Sequence, residues 1–250
     1  MAIAAAAAPA AGRARRLAEG RPDAIGRAIA LLALAWGSPA AAQFGASAAL
    51  HSDYRYRSYS LSLERPAAAL NLSYDHGAGL YAGGSLIAAD TARRGWRPVL
   101  QLAYAGLARR PERGPTWDVG VSTLRVKYYD LPLRTVRYEE VYAGVVGEHA
   151  SLRLAYAPDY FQTGRKTLYV DLGLAYRPAP DWRVFGHAGL LHPVGGRYSP
   201  GARRERYDLS AGVARRIGRA EILLQATTAG PGRARGLDKD GLALTANWNF

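Results

Sequence analysis

Leu242-Ala243-Leu244-Thr245-Ala246-Asn247-Trp248-Asn249-Phe250 ends the chain with apolar side chains on every even position and polar ones at Thr245, Asn247 and Asn249. In an extended strand successive side chains point to opposite faces, so this stretch has one apolar face that finishes on an aromatic ring. The same period runs back through the chain. Ala68, Leu70, Leu72 and Tyr74 oppose Asn71, Ser73 and Asp75; Leu168, Val170, Leu172, Leu174 and Tyr176 oppose Asp171 and Gly173; Tyr207, Leu209, Ala211 and Val213 oppose Asp208, Ser210 and Gly212. About twelve such segments follow Phe44, each bounded by Gly, Pro, Asp or Arg clusters. In the fifth, Trp117, Val119 and Val121 hold one parity and Leu124, Val126 and Tyr128 the other, which predicts a β-bulge near Thr123.

Alternation suits a soluble sandwich as well as a barrel, and three features favour a barrel in a membrane. Aromatic residues gather at strand ends: Tyr54, Tyr56, Trp96, Tyr128, Tyr138, Tyr156 and Tyr207 at one, Tyr74, Tyr104, Trp117, Tyr176, Trp182, Trp248 and Phe250 at the other. Amphipathic rings collect at the two membrane interfaces in this way. Connections alternate in length. The short set (76–79, 147–150, 177–181 and 216–219) suits periplasmic turns, with 109–115 an exception, and the long set includes 192–205 and 230–240. The inward parity carries small or polar residues, which suits a wet lumen. The expected fold class is therefore all-β: a transmembrane antiparallel up-and-down β-barrel of about 12 strands over residues 43–250. No apolar run after residue 42 approaches the roughly 20 residues that a spanning helix needs.

Residues 1–42 read as a cleaved signal peptide. Arg13, Arg15, Arg16, Arg21 and Arg27 precede the apolar run Ala28 to Trp36, and Ala40-Ala41-Ala42 offers small side chains for cleavage before Gln43. The expected destination is the outer membrane of a Gram-negative bacterium, reached through the periplasm. Cysteine is absent, which excludes disulfides and thiolate metal sites. The formal charge is +13, with 33 basic residues, most of them arginine. They fall between the segments rather than along a basic helix or stripe, so anionic lipid or an anionic solute is the expected partner and nucleic acid is not.

His51-Ser52-Asp53-Tyr54-Arg55-Tyr56-Arg57, then Tyr74-Asp75-His76 and Gly79-Leu80-Tyr81-Ala82-Gly83, resemble the opening of the TorF porin family. Glu139-Glu140-Val141-Tyr142-Ala143-Gly144 is similar to its mid-chain segment. The likeness is motif-specific over Ser52 to Gly83 and covers the rest in layout; Ser58 stands where the family pattern usually has glycine. The resemblance implies an outer-membrane protein whose porin label rests largely on architecture, and architecture supplies no substrate.

Arg55, Arg57, Asp75, Asp118, Arg153, Asp171, Arg183, Asp208 and Glu221 fall on inward parity and are the candidate lumen and selectivity residues of a passive diffusion channel for small, mildly anion-preferred solutes. The same charges, paired with each other, would plug a narrow barrel. Trp248 and Phe250 form a C-terminal signal similar to those that the barrel-assembly machinery reads. Arg93, Arg94, Arg165, Lys166, Arg203 and Arg204 in the outer connections suit lipopolysaccharide phosphates, or a solvated rim of a closed structural or adhesion barrel. No cofactor and no metal site is expected. His51 and Ser52 point to opposite faces of a strand and share no dyad, and no Gly-x-Ser-x-Gly or His-Glu-x-x-His accompanies the other histidines, so no catalysis, lipid hydrolysis included, is expected.

Overall fold

The computed structural model of the chain describes residues 43–129, 134–196, 205–230 and 240–250. The segment read as a signal peptide, 1–42, lies outside the described residues. Strands β1 (Gln43–His51), β4 (Ala67–Asp75), β5 (Leu80–Thr91), β6 (Gly95–Arg109), β7 (Thr116–Tyr128), β8 (Arg134–Val146), β9 (Ala150–Ala157), β10 (Arg165–Ala179), β11 (Trp182–Gly196), β12 (Arg206–Ile217), β13 (Ala220–Gly230) and β14 (Gly241–Asn249) run up and down, each antiparallel to its neighbours in chain order. β14 pairs with β1 from Asn249 opposite Ser47 to Thr245 opposite His51, so the described strands close into a twelve-stranded barrel. The Phe250 N–H donates to the Ala46 carbonyl at 3.0 Å, and the last residue thus ties the seam. Closure leaves no sheet edge exposed. Two further strands, β2 (Arg55–Tyr56) and β3 (Tyr59–Ser60), pair only with each other.

We call the end that carries Gln43 and Phe250 the lower end. Connections there span 76–79, 110–115, 147–149, 180–181 and 218–219; those at the upper end span 52–66, 92–94, 129–133, 158–164, 197–205 and 231–240. Apart from 92–94 above and 110–115 below, the upper set is the longer one, as the alternation predicts.

The outer wall is bare hydrocarbon: Leu72 is 58% exposed, Val119 50%, Leu174 53% and Leu242 64%. A band of this kind around a whole barrel needs an apolar surrounding. Outward rings edge it below at Phe44, Tyr74, Trp117, Tyr176, Trp182, Trp248 and Phe250, with Phe44 against Tyr74 at 5.0 Å between centroids. Phe44 belongs to this girdle although its place is not evident from sequence. Above, the outward rings are Trp96, Tyr156 and Tyr207. Tyr54 and Tyr56 leave the expected upper girdle because they sit in the 52–66 loop. Tyr104, Tyr128 and Tyr138 leave the girdles because they point inward; Tyr138 is 3% exposed, and Tyr104 lies over Gly83.

No bulge occurs near Thr123. β7 pairs without a break from Thr116 opposite Val146 to Tyr128 opposite Arg134. The strand keeps one phase, so Leu124 and Val126 are buried inward and Arg125 is exposed outward. The parity conflict came from assuming that apolar means outward along the whole strand. Register shifts lie elsewhere, between Ile87 and Ala88 against β6, and at Lys166/Thr167 and Tyr176/Ala179 against β11.

Candidate functional site

The connection from β1 to β4 turns into the barrel. Tyr56 pairs with Tyr59 across the two-residue turn Arg57-Ser58, whose φ angles are 49° and 62°. Left-handed angles at both turn positions match the twist of a tight hairpin, normally with Asn or Gly there. Leu63 and Glu64 also have positive φ, 57° and 59°. Each such non-glycine residue costs about 1–2 kcal/mol, so other contacts must hold the loop. Asp53, 6% exposed, is the internal anchor. It accepts from Arg55 Nε at 2.6 Å, Ser60 Oγ at 2.6 Å and Ser62 Oγ at 2.8 Å.

The hairpin then reaches the wall on several sides. On β8, Arg57 Nη2 donates to both Glu140 oxygens at 2.8 and 2.9 Å, and the Tyr56 and Tyr138 hydroxyls meet at 2.8 Å. On β10, the Arg57 guanidinium lies 3.8 Å from the Tyr169 ring centre. On β12, Ser58 Oγ donates to the Leu209 carbonyl at 3.0 Å, and on β13, Arg55 Nη1 donates to Thr227 Oγ1 at 3.0 Å. β8 and β13 stand almost opposite in the ring of strands, so the hairpin spans the bore. Burial opposes the Arg57 charge, but the Glu140 carboxylate and the tyrosine hydroxyls around it more than offset that, and its pKa is raised. Tyr160 and Phe161 of the next upper loop but two add to the fill, stacking on Tyr138 at 5.0 and 4.6 Å.

At the hairpin's level the lumen wall is buried all round. Every barrel strand supplies at least one buried inward residue there: Ala49, Ala69, Ile87, Leu100, Val126, Tyr138, Ala157, Tyr169, Leu191, Asp208, Thr227 and Ala243. The wet lumen that the inward parity suggests is therefore confined to the lower part of the barrel, and the upper part follows the plugged alternative. Lower down, the inward residues are mostly half-exposed and small or polar, among them Ser47, Asn71, Ser73, Ser85, Ser122, Ser151, Ser210 and Asn247. The barrel is thus filled above and forms a vestibule below.

Below the hairpin and at its base, inward charges of β7 and β9–β13 are paired. Arg153 Nη2 meets Asp118 Oδ2 at 2.7 Å, and Asp118 also accepts from the Tyr81 hydroxyl. Arg183 Nη2 meets Glu221 Oε2 at 2.9 Å. The His187 ring lies between Asp171, at 3.1 Å from Nδ1, and Asp208, at 2.7 Å from Nε2; the Tyr169 hydroxyl donates to the same Asp208. Of the nine lumen residues expected from sequence, Asp118, Arg153, Asp171, Arg183, Asp208 and Glu221 do face inward, and Asp75 is exposed at the lower rim. Arg55 and Arg57 are corrected: they belong to the hairpin rather than to a barrel strand, and each is neutralised by a buried carboxylate.

Four residues of the site, Asp53, Glu140, Tyr169 and His187, are missed by the sequence reading. Glu140 shares inward parity with Tyr138 and Tyr142, which was the available signal. Of the outer cations, Arg93 and Arg94 are exposed in the 92–94 turn, Lys166 is exposed at the top of β10 with Arg165 half-buried beside it, and Arg203 and Arg204 lie outside the described residues. His51 Nδ1 is 2.9 Å from Thr245 Oγ1, while Ser52 Oγ accepts from the Leu244 N–H at 2.9 Å. Both serve the β1–β14 seam.

A family described as bacterial protein of unknown function (Gcw_chp) matches residues 36–227. The chain belongs to the Gcw_chp family. The Gcw_chp match takes in the hairpin, Glu140 and every lumen pair described above. Curated proteins yield no match. Among solved structures, the NanC porin is similar at 10% identity, covering 82% of this chain and 97% of that one with a TM-score of 0.51. LpxR from Salmonella typhimurium follows at 8% identity, 82% and 99% coverage and a TM-score of 0.43. The translocator domain of autotransporter NalP from Neisseria meningitidis has 11% identity, 90% and 92% coverage and a TM-score of 0.39. At such identities the NanC likeness speaks for the fold alone: a closed outer-membrane type of barrel.

Proposed function

We propose that this Gcw_chp protein is a porin-like channel of the Gram-negative outer membrane whose upper lumen is gated by its own first loop. The carrying observation is the hairpin's mode of attachment. The loop is held to the wall by Arg57–Glu140, Tyr56–Tyr138, Ser58–Leu209 and Arg55–Thr227, with Asp53–Arg55 bracing it internally, against the cost of four left-handed residues. Backbone strain of this kind is often part of a mechanism, and it favours a second, withdrawn position of the loop. With the loop seated, the vestibule ends blindly; with the loop withdrawn, small solutes pass by size exclusion. The resemblance to the TorF family points to the same porin reading. Because Arg55 and Arg57 are neutralised by their partners, they set no anion preference while the gate is shut.

The second reading is a permanently closed structural barrel, favoured by the unbroken ring of buried inward residues. Liposome swelling separates the two. Vesicles carrying the Glu140→Ala variant should admit small sugars faster than vesicles carrying wild-type protein. Equal, negligible swelling from folded, heat-modifiable protein of both kinds would favour the closed barrel.

A further inference from the structure

The outer wall of β6–β8 departs from the apolar band in one place. Gln101, Arg125 and Arg137 stand directly opposite one another on three adjacent strands, and all three are exposed. They share the outward face with Trp117, Val119 and Val121 of β7. Residues opposite each other in an antiparallel pair are about 5 Å apart, and like charges there destabilise the sheet. Arg125 has no ion-pair partner among the described residues. Arg137 has Glu139 at 3.9 Å, too long for a firm hydrogen bond. Lys127, next on the same face of β7, lies over the Tyr129 ring at 4.9 Å and adds a third positive charge. Among the described residues, Glu139 is thus the one carboxylate paired with this row, and it leaves a net positive charge there.

The height of this row decides what can. Arg125 lies eight residues above the girdle residue Trp117, which at the rise and tilt of barrel strands is about 20 Å. A barrel's apolar band is about 25 Å tall, so the row sits at its upper edge, where the headgroups of the outer leaflet begin. Two guanidinium groups side by side with an amide donor make a cradle for a doubly charged, many-acceptor anion, and guanidinium recognises phosphate by paired charge-assisted hydrogen bonds.

We propose that Gln101, Arg125 and Arg137 form an outer-wall binding site for the phosphate of an outer-leaflet glycolipid, the lipopolysaccharide class. The site differs from the loop cations Arg93, Arg94, Arg165 and Lys166, which stand on the upper connections and strand ends, and it relies on a wall position that only a membrane-anchored phosphate reaches from the side. It rests on the reading of the barrel as membrane-embedded. Flotation of the folded protein with phosphatidylethanolamine liposomes, free of glycolipid, tests that reading separately.

The experiment is native mass spectrometry of the detergent-solubilised barrel with three probes: bisphosphorylated lipid A, dephosphorylated lipid A and inorganic phosphate. Wild-type protein should retain the bisphosphorylated form at least about tenfold more than the dephosphorylated form, and inorganic phosphate at the same concentration should not be retained. R125E/R137E should lose that preference, R125K/R137K should keep part of it, and Glu139→Gln should raise retention. Equal retention of the two lipid A forms by wild-type protein would overturn the proposal without recourse to any variant. Undiminished preference in folded R125E/R137E would overturn it as well.

Discussion

Arg57, at the tip of the inward hairpin, gives both of its wall-facing hydrogen bonds to Glu140 of β8 from a single nitrogen, at 2.8 and 2.9 Å, with the two side chains 12% and 6% exposed. Removing one partner of a buried pair leaves the other charged and uncompensated, which costs about 3–5 kcal/mol. The cost falls on the seated position of the loop, because in the withdrawn position both groups meet water. Glu140→Ala should therefore speed trypsin cleavage at Arg55, Arg57 or Arg65 by about 100-fold or more while the barrel stays folded. The double variant R57A/E140A should be less open than the sum of the single changes, as a double-mutant cycle on cleavage rates will show.

Asp53 holds the loop to itself rather than to the wall. Asp53→Asn keeps the shape but removes the charge that faces Arg55 Nε at 2.6 Å, and with Oδ1 kept for Ser60 and Ser62 its amide nitrogen becomes a donor facing the Arg55 Nε donor. The loss should exceed about 2 kcal/mol of loop-seating free energy, read as faster amide hydrogen exchange across 53–65 with exchange in β9–β13 unchanged.

Ser58 sits at φ 62° and donates to the Leu209 carbonyl. Ser58→Gly removes a left-handed penalty of about 1–2 kcal/mol, loses a hydrogen bond of about 1 kcal/mol, and adds backbone entropy to the unfolded state. These nearly cancel, so its effect should stay within about 1 kcal/mol. Ser58→Val keeps the penalty, worsens it through branching and loses the bond, and should cost about 2 kcal/mol or more. Thermal melts followed by heat-modified gel mobility rank the two.

Glycine in the vestibule wall makes room for tyrosine. A Cβ at Gly106 would meet the Tyr81 hydroxyl and the Val119 carbonyl, and one at Gly120 would meet the Ala105 carbonyl and the Tyr142 ring. Backbone carbonyls cannot swing away, so Gly106→Ala and Gly120→Ala should each cost about 1–3 kcal/mol. Gly218→Ala meets no neighbouring atom and carries only the strain of its φ of 60°. Refolding yields in detergent should fall for the first two variants more than for the third.

The fold was legible because its signal is local and repeated. Lipid-facing parity reads directly from Leu168 to Tyr176 and from Leu242 to Phe250, and turn residues mark the strand ends. The site was legible only in part. Inward parity found Asp118, Arg153, Asp171, Arg183, Asp208 and Glu221, because side-chain direction along a strand follows from position alone. It misplaced Arg55 and Arg57, because a loop that folds back into a barrel leaves no periodic trace, and a two-residue turn with Arg-Ser lacks the usual Asn-Gly marker. The false bulge in β7 has the same origin: Leu124 and Val126 are apolar on the inner face because the loop and its packed core fill the lumen beside them. Pairing partners such as Glu140 for Arg57 and His187 for Asp208 lie 83 and 21 positions away, a separation that only the closed barrel removes.

The gate is tested most directly by single-channel recording in planar bilayers, comparing the wild-type protein with a variant in which residues 53–65 are replaced by a short Gly-Ser linker. A seated, gating loop gives rare, small openings from the wild type and steady conductance from the deletion. Wild-type conductance as steady and as large as that of the deletion, or silence from both when both are folded, would rule out the gate.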